Sequence, residues 1–177
     1  MFAISKAKHI LMKKIHILKA IIDFVWILSV ALIPLIIIFI PFLFIYDLGD
    51  LDLAINNIAL PTLTTFGKIL MSTILLSYLL LIYCLFLFRK IMELFSRGKI
   101  FSETVLINLN KIGTFLVVFA IINIGVPFIQ NLSFGKIHVD FVLSPFIMAL
   151  CIGLFFMVLS EIFKIAKTAK AENDLTV

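Results

Sequence analysis

Four stretches of this chain, residues 24–46, 69–88, 113–129 and 141–160, contain no charged residue. A helix needs about 20 predominantly apolar residues to cross a hydrocarbon core roughly 30 Å thick. In lipid the backbone must satisfy its own polar groups, and an uninterrupted apolar run does so as a helix. A barrel strand would instead alternate apolar and polar residues. The expectation is an all-α integral membrane four-helix bundle in a single domain, residues 1–177. Composition agrees, since 63% of the residues are hydrophobic, against roughly 45–50% in soluble domains. Phe occurs 19 times beside one Trp and three Tyr. That is lipid-compatible bulk rather than a base-stacking set, so direct nucleic-acid binding is excluded despite a pI of about 9.3.

Charge gives the orientation. Lys6, Lys8, Lys13, Lys14 and Lys19 precede the first run. Arg89, Lys90, Arg97, Lys99 and Lys111 lie between the second and third, and Lys164, Lys167 and Lys170 follow the fourth. Lys68 and Lys136 fall on the opposite side, with Asp47, Asp50, Asp52 and Asp140. Cytoplasmic loops carry the excess of Lys and Arg. The basic side, with both termini, is therefore expected in the cytoplasm of a bacterial inner membrane.

Helices are expected to continue beyond the bilayer. From Ile69 the pattern persists to Ser96, where Gly98 supplies a left-handed cap and Ser102 caps the next helix. Residues 1–22 form a basic amphipathic helix, with Ile4, Ala7, Leu11, Ile15, Leu18 and Ile22 on one face and Lys6, His9, Lys13, His16 and Lys19 on the other. It could lie on an anionic leaflet or pack beside the projecting helix ends. The tail, residues 161–177, begins as a helix with Lys164, Lys167 and Lys170 on one side, and the helical signal fades before Asp174. Pro34 and Pro41 are expected to bend the first span without ending it. The outer segment from Asp47 to Lys68 reads as a short interfacial element. The N-terminus has no small-residue cleavage site and is not a removable signal. Cys84 and Cys151 sit at different depths and read as two buried small apolar residues, not a disulfide.

Known membrane chemistries find little here. His9, His16 and His138 all lie outside the spans, so haem ligation between facing helices has no candidates and no metal site is expected. Ion and proton paths need an ionisable group deep in the bilayer. Asp23 and Glu161 stand at the membrane edge instead, where neighbouring Lys residues can pair with them. Asn123 is the most polar residue within a span and is expected to bond across helices, with Gly125 and Pro127 bending the chain nearby. Ser29, Ser72, Ser77, Ser144 and Ser160 lack a His or Lys at helical spacing within their spans. The expectation is a non-enzymatic protein without a cofactor.

Two stretches carry a resemblance. One is Arg97-Gly98-Lys99-Ile100-Phe101-Ser102, followed by Asn108, Leu109, Lys111, Ile112 and Gly113. The other is Glu161-Ile162-Phe163-Lys164, continuing to Glu172-Asn173-Asp174-Leu175-Thr176-Val177. They resemble a bacterial family of four-span membrane proteins, domain of unknown function family 2975, with a G-x-x-F turn and an acidic E-x-D-L-T-[IV] terminus. Its members are often encoded beside a very small helix-turn-helix regulator. The resemblance implies a membrane partner that binds and sequesters such a DNA-binding protein. Arg97, Gly98, Lys99, Phe101, Glu172, Asp174, Leu175 and Val177 would form the contact surface, with Glu172 and Asp174 facing cations and Leu175 and Val177 as anchors. The same tail could equally fold back to cap its own bundle by pairing with Arg97 or Lys99. A small transporter using Asn123, an accessory subunit of a membrane complex, and a homo-oligomer are the other readings.

Overall fold

Long uncharged runs leave the backbone no hydrogen-bond partner but itself, and four helices long and apolar enough to span a membrane result. The computed structural model describes residues 2–45, 54–55, 58–59, 65–133 and 144–175, without the side chains of 2–12, 54, 55, 58, 59, 130, 131, 133, 174 and 175. In order they form α1 (Phe2–Val30), α2 (Leu32–Ile45), β1 (Ala54–Ile55), β2 (Ile58–Ala59), α3 (Thr65–Ser96), α4 (Glu103–Ser133) and α5 (Pro145–Leu175). The first span comprises the end of α1 together with α2. The chain is a multi-pass, all-α membrane bundle.

Several boundaries differ from the sequence expectation, each for a local reason. Residues 2–30 are one helix, so the basic segment of residues 1–22 runs without a break into the span expected from residue 24. Pro34 interrupts where a bend was expected: a turn at Ala31 separates α1 from α2. The ring of Pro34 clashes with the carbonyl four residues back, that of Val30, and its missing N–H removes a rung. Pro41 stays inside α2, and Pro127 stays inside α4, which runs on to Ser133. α5 starts at Pro145, with Ser144 as its cap. The Ser144 hydroxyl accepts from the Phe146 N–H at 3.2 Å, and Pro suits the first helical position, where its N–H would have no partner. Residues 141–143, expected in that span, lie outside the described residues, as does Tyr46. The expected fading of the tail helix is corrected too, since α5 continues through Asp174 to Leu175. Between α2 and α3, β1 and β2 pair antiparallel, Ala54 with Ala59 and Ile55 with Ile58. Asp47, Asp50, Asp52, Lys136, His138 and Asp140 lie outside the described residues.

The helices pack unevenly. In the most apolar stretches of α3 and α4, 33% of the residues are buried, against 6% along the first span and 11% along α5. Two core clusters sit at the two ends of α3. Leu43, Met71, Ile74, Leu75 and Val126 join α2, α3 and α4 at one end. At the other, Cys84, Leu87, Ile91, Val105, Leu109 and Ile112 join α3 to α4 beneath Phe156, Leu159 and Phe163 of α5.

Glycines let α4 and α5 cross closely. A Cβ placed on Gly113 of α4 would stand 2.6 Å from the Gly153 carbonyl oxygen of α5, and one on Gly153 would stand 2.9 Å from that of Gly113. Backbones approach this closely only where side chains are missing. Beside the crossing, the Ser160 hydroxyl donates to the Leu106 carbonyl at 2.8 Å.

The charges bracket the bilayer. Lys68 and Arg89 are the first charges beyond either end of the α3 apolar run, and at 1.5 Å per residue they stand about 32 Å apart. That matches a hydrocarbon core of roughly 30 Å. Asp23, Lys111 and Glu161 mark the same boundary as Arg89 on the other helices. Beyond it α3 projects seven residues to Ser96, about two turns.

Candidate functional site at the basic end of the bundle

The basic end is organised around the turn between α3 and α4. Gly98 adopts φ 72°, the left-handed conformation open to glycine without steric cost. Its N–H donates to the Phe95 carbonyl at 3.0 Å, and the Lys99 N–H reaches the Leu94 carbonyl at 2.9 Å. This pair of bonds is a Schellman cap, which satisfies carbonyls that the helix end would leave open. Ser102 stands at the cap of α4 as expected, with its carbonyl accepting from Val105 and Leu106. Its hydroxyl is buried without a partner, so the backbone alone makes the cap.

The sequence-predicted contact residues fall into two groups. Arg97, Gly98, Lys99 and Phe101 are all exposed on the turn. Arg97 is paired with Glu93 of its own helix. The Phe101 ring rests against Phe163 of α5, with centroids 5.7 Å apart, and Phe95 adds a second ring contact to Phe163. These rings tie the turn to the base of the tail. Glu172 is exposed on α5. Asp174 and Leu175 are helical, but their side chains lie outside the described residues, as does Val177. Turn and tail therefore share one end of the molecule, joined through Phe101 and Phe163.

An ion pair sets the tail's position. Lys167 Nζ lies 3.9 Å from Glu103 at the start of α4. From Lys167 the helix runs eight residues further to Leu175, about 12 Å. Between α4 and α5 lies an open groove of about 480 Å³, lined by Glu103, Ile107 and Asn110 on one wall and Glu161, Lys164 and Lys167 on the other. Lys164 and Glu161 approach within 3.7 Å. Both ion pairs are too long for hydrogen bonds and well exposed, so each contributes at most about 1 kcal/mol. The sequence signal for the groove was weak: its walls come from helices more than forty residues apart.

At the membrane boundary the pairing of Asp23 differs from expectation. Its partner is not a neighbouring Lys but Arg89 of α3, whose Nε donates to Oδ1 at 2.6 Å. The guanidinium also lies 4.8 Å from the centre of the Trp26 ring, one turn along α1 from Asp23. Arg89 thus clamps α1 to α3 by charge and by ring contact. The spacing of Asp23 and Trp26 by three was the legible hint.

Inside the bundle Asn123 is 1% exposed. Its Nδ2 donates to Ser77 Oγ on α3 at 2.7 Å and to the Phe119 carbonyl at 2.9 Å. Ser77 in turn donates to the Ile74 carbonyl at 2.6 Å. The expected cross-helix bond is present, and it has the form of interhelical glue. The two cysteines separate: Cys84 is buried, whereas Cys151, expected buried, is exposed, and both are free. His16 is exposed, and the side chain of His9 and all of His138 lie outside the described residues.

Comparison with known proteins gives one match. The family described as protein of unknown function (DUF2975) matches residues 51–177, a stretch that contains α3, α4 and α5. No curated protein and no solved structure matches the chain.

Proposed function

The chain belongs to the DUF2975 family of proteins of unknown function, and from that membership we propose that it is a non-enzymatic, membrane-bound regulator. It binds and sequesters a small helix-turn-helix transcription regulator at its basic end. On this reading the protein resides in a bacterial inner membrane with both termini in the cytoplasm, since the basic end carries the excess of Lys and Arg.

The observation that carries the reading is the course of α5. It continues as one helix past the Lys167 to Glu103 pair to Leu175, so the acidic terminus is presented beyond the Gly98 turn. That supports a tail that extends along the bundle toward a partner. A small basic DNA-binding domain would bring cations to Glu172 and Asp174, while the exposed Phe101 ring offers apolar area. Asn123 gives the transporter alternative less support, because its amide is committed to Ser77 and Phe119.

Copurification tests the reading. The full chain, solubilised in mild detergent, should retain the regulator encoded beside it, and a chain lacking residues 172–177 should lose it. If the intact chain does not hold the regulator, the proposal is wrong.

A further inference from the structure

We infer that the groove between α4 and α5 binds the headgroup of a zwitterionic aminophospholipid, of the phosphatidylethanolamine type, in the leaflet at the basic end. The inference does not depend on the regulator reading and needs only that the helices span the bilayer.

Depth is the first argument. Lys111 and Glu161 mark the edge of the hydrocarbon on α4 and α5, and the groove runs outward from that level. The headgroup region adds roughly 5–8 Å on each side of the core. Asn110, Ile107, Glu161 and Lys164 fall within it, since Lys164 stands three residues, about 4.5 Å, beyond Glu161. A groove between spanning helices at this depth is bathed in headgroups.

Charge decides which headgroup. At headgroup depth the walls carry one cation, Lys164, and one carboxylate, Glu161, so the lining there is electrically balanced; Lys167 and Glu103, about 9 and 12 Å beyond the boundary, form a second balanced pair just above it. An anionic lipid would gain from the lysines and be repelled by the carboxylates in equal number. A headgroup bearing a phosphate and an ammonium engages both sets. The resident ion pairs are loose, at 3.7 and 3.9 Å, and exchange readily for ligand charges. Ile107, 49% exposed, offers an apolar rim for the glycerol and upper acyl chain.

Native mass spectrometry of the full chain, titrated in detergent with phosphatidylethanolamine and phosphatidylglycerol of identical acyl chains, tests this. The unaltered chain should take up phosphatidylethanolamine about fivefold more strongly, the ratio that one exposed ion pair can supply. Glu103→Gln combined with Glu161→Gln leaves the lysines unopposed and should reverse the preference, a sign change that general loosening of the fold would not produce. Ile107→Trp, which fills the groove without altering charge, should weaken uptake of phosphatidylethanolamine, and Lys68→Gln at the other membrane face should change nothing. Equal uptake of the two lipids by the unaltered chain, or a preference that survives the glutamine variants, overturns the inference. It is overturned as well if Ile107→Trp leaves lipid uptake intact and instead abolishes capture of the helix-turn-helix regulator, which would make the groove a protein site.

Discussion

Asn123 and Arg89 show two ways in which a polar residue is tolerated in an apolar bundle. Asn123 is buried and spends its amide on Ser77 and Phe119. Hydrogen bonds between spanning helices are worth about 0.6 kcal/mol, rarely above 1.7, because the separated helices also find partners in the membrane. Asn123→Leu should therefore lower stability by about 0.5–1.5 kcal/mol in reversible unfolding from mixed micelles. A loss several times larger would show that Asn123 contributes more than interhelical bonds of this usual strength. Arg89 sits at the boundary, where water reaches it, and combines a 2.6 Å bond to Asp23 with a ring contact to Trp26. Arg89→Ala removes both and leaves Asp23 partly buried without its cation. The expected cost is about 1–3 kcal/mol. It should appear as faster amide exchange in residues 13–30, with α4 and α5 little affected.

Among the helices, α4 and α5 approach backbone to backbone at Gly113 and Gly153. Gly153→Leu places a side chain against the Gly113 carbonyl and against Val117 and Leu116. Overpacking of this kind costs about 1–3 kcal/mol or more, and the variant should lose the Ser160 to Leu106 bond as the helices part. Gly125 provides the contrast, since a Cβ there meets nothing within 4 Å. Gly125→Ala should be neutral or stabilising by up to about 1 kcal/mol. Thermal unfolding of the two variants side by side checks the pair, and equal effects would mean that the glycine crossing is not what holds α5. Helix existence was legible in the sequence because apolar length in lipid permits little else, and the Gly98 cap followed from steric rules. Gly153 and Ser160 were not identified as contacts. An apolar run shows the same pattern on every face, so it gives no signal of which face meets a neighbour. The Pro34 break was underestimated because partner helices can rescue a proline, and the exposed first span offers few neighbours to do so.

For the whole molecule, the charge distribution predicts that a reporter active only in the cytoplasm will work when fused after Val177, and one active only outside will not. The opposite pattern would invert the proposed location of the turn, the tail and the groove. Of the candidate site, the turn was visible through Gly98 and Phe101. The groove was not, because it exists only once residues of α4 and α5 are brought together. The weak burial of the first span, 6% against 33% in α3 and α4, bears on which parts of the chain can be exchanged. Held to α3 at Asp23 and Trp26 near one end and at Leu43 near the other, it should behave as a replaceable module. A foreign apolar helix grafted in its place, keeping those three side chains in register, should still yield a folded protein, whereas the same transplant into α4 should not.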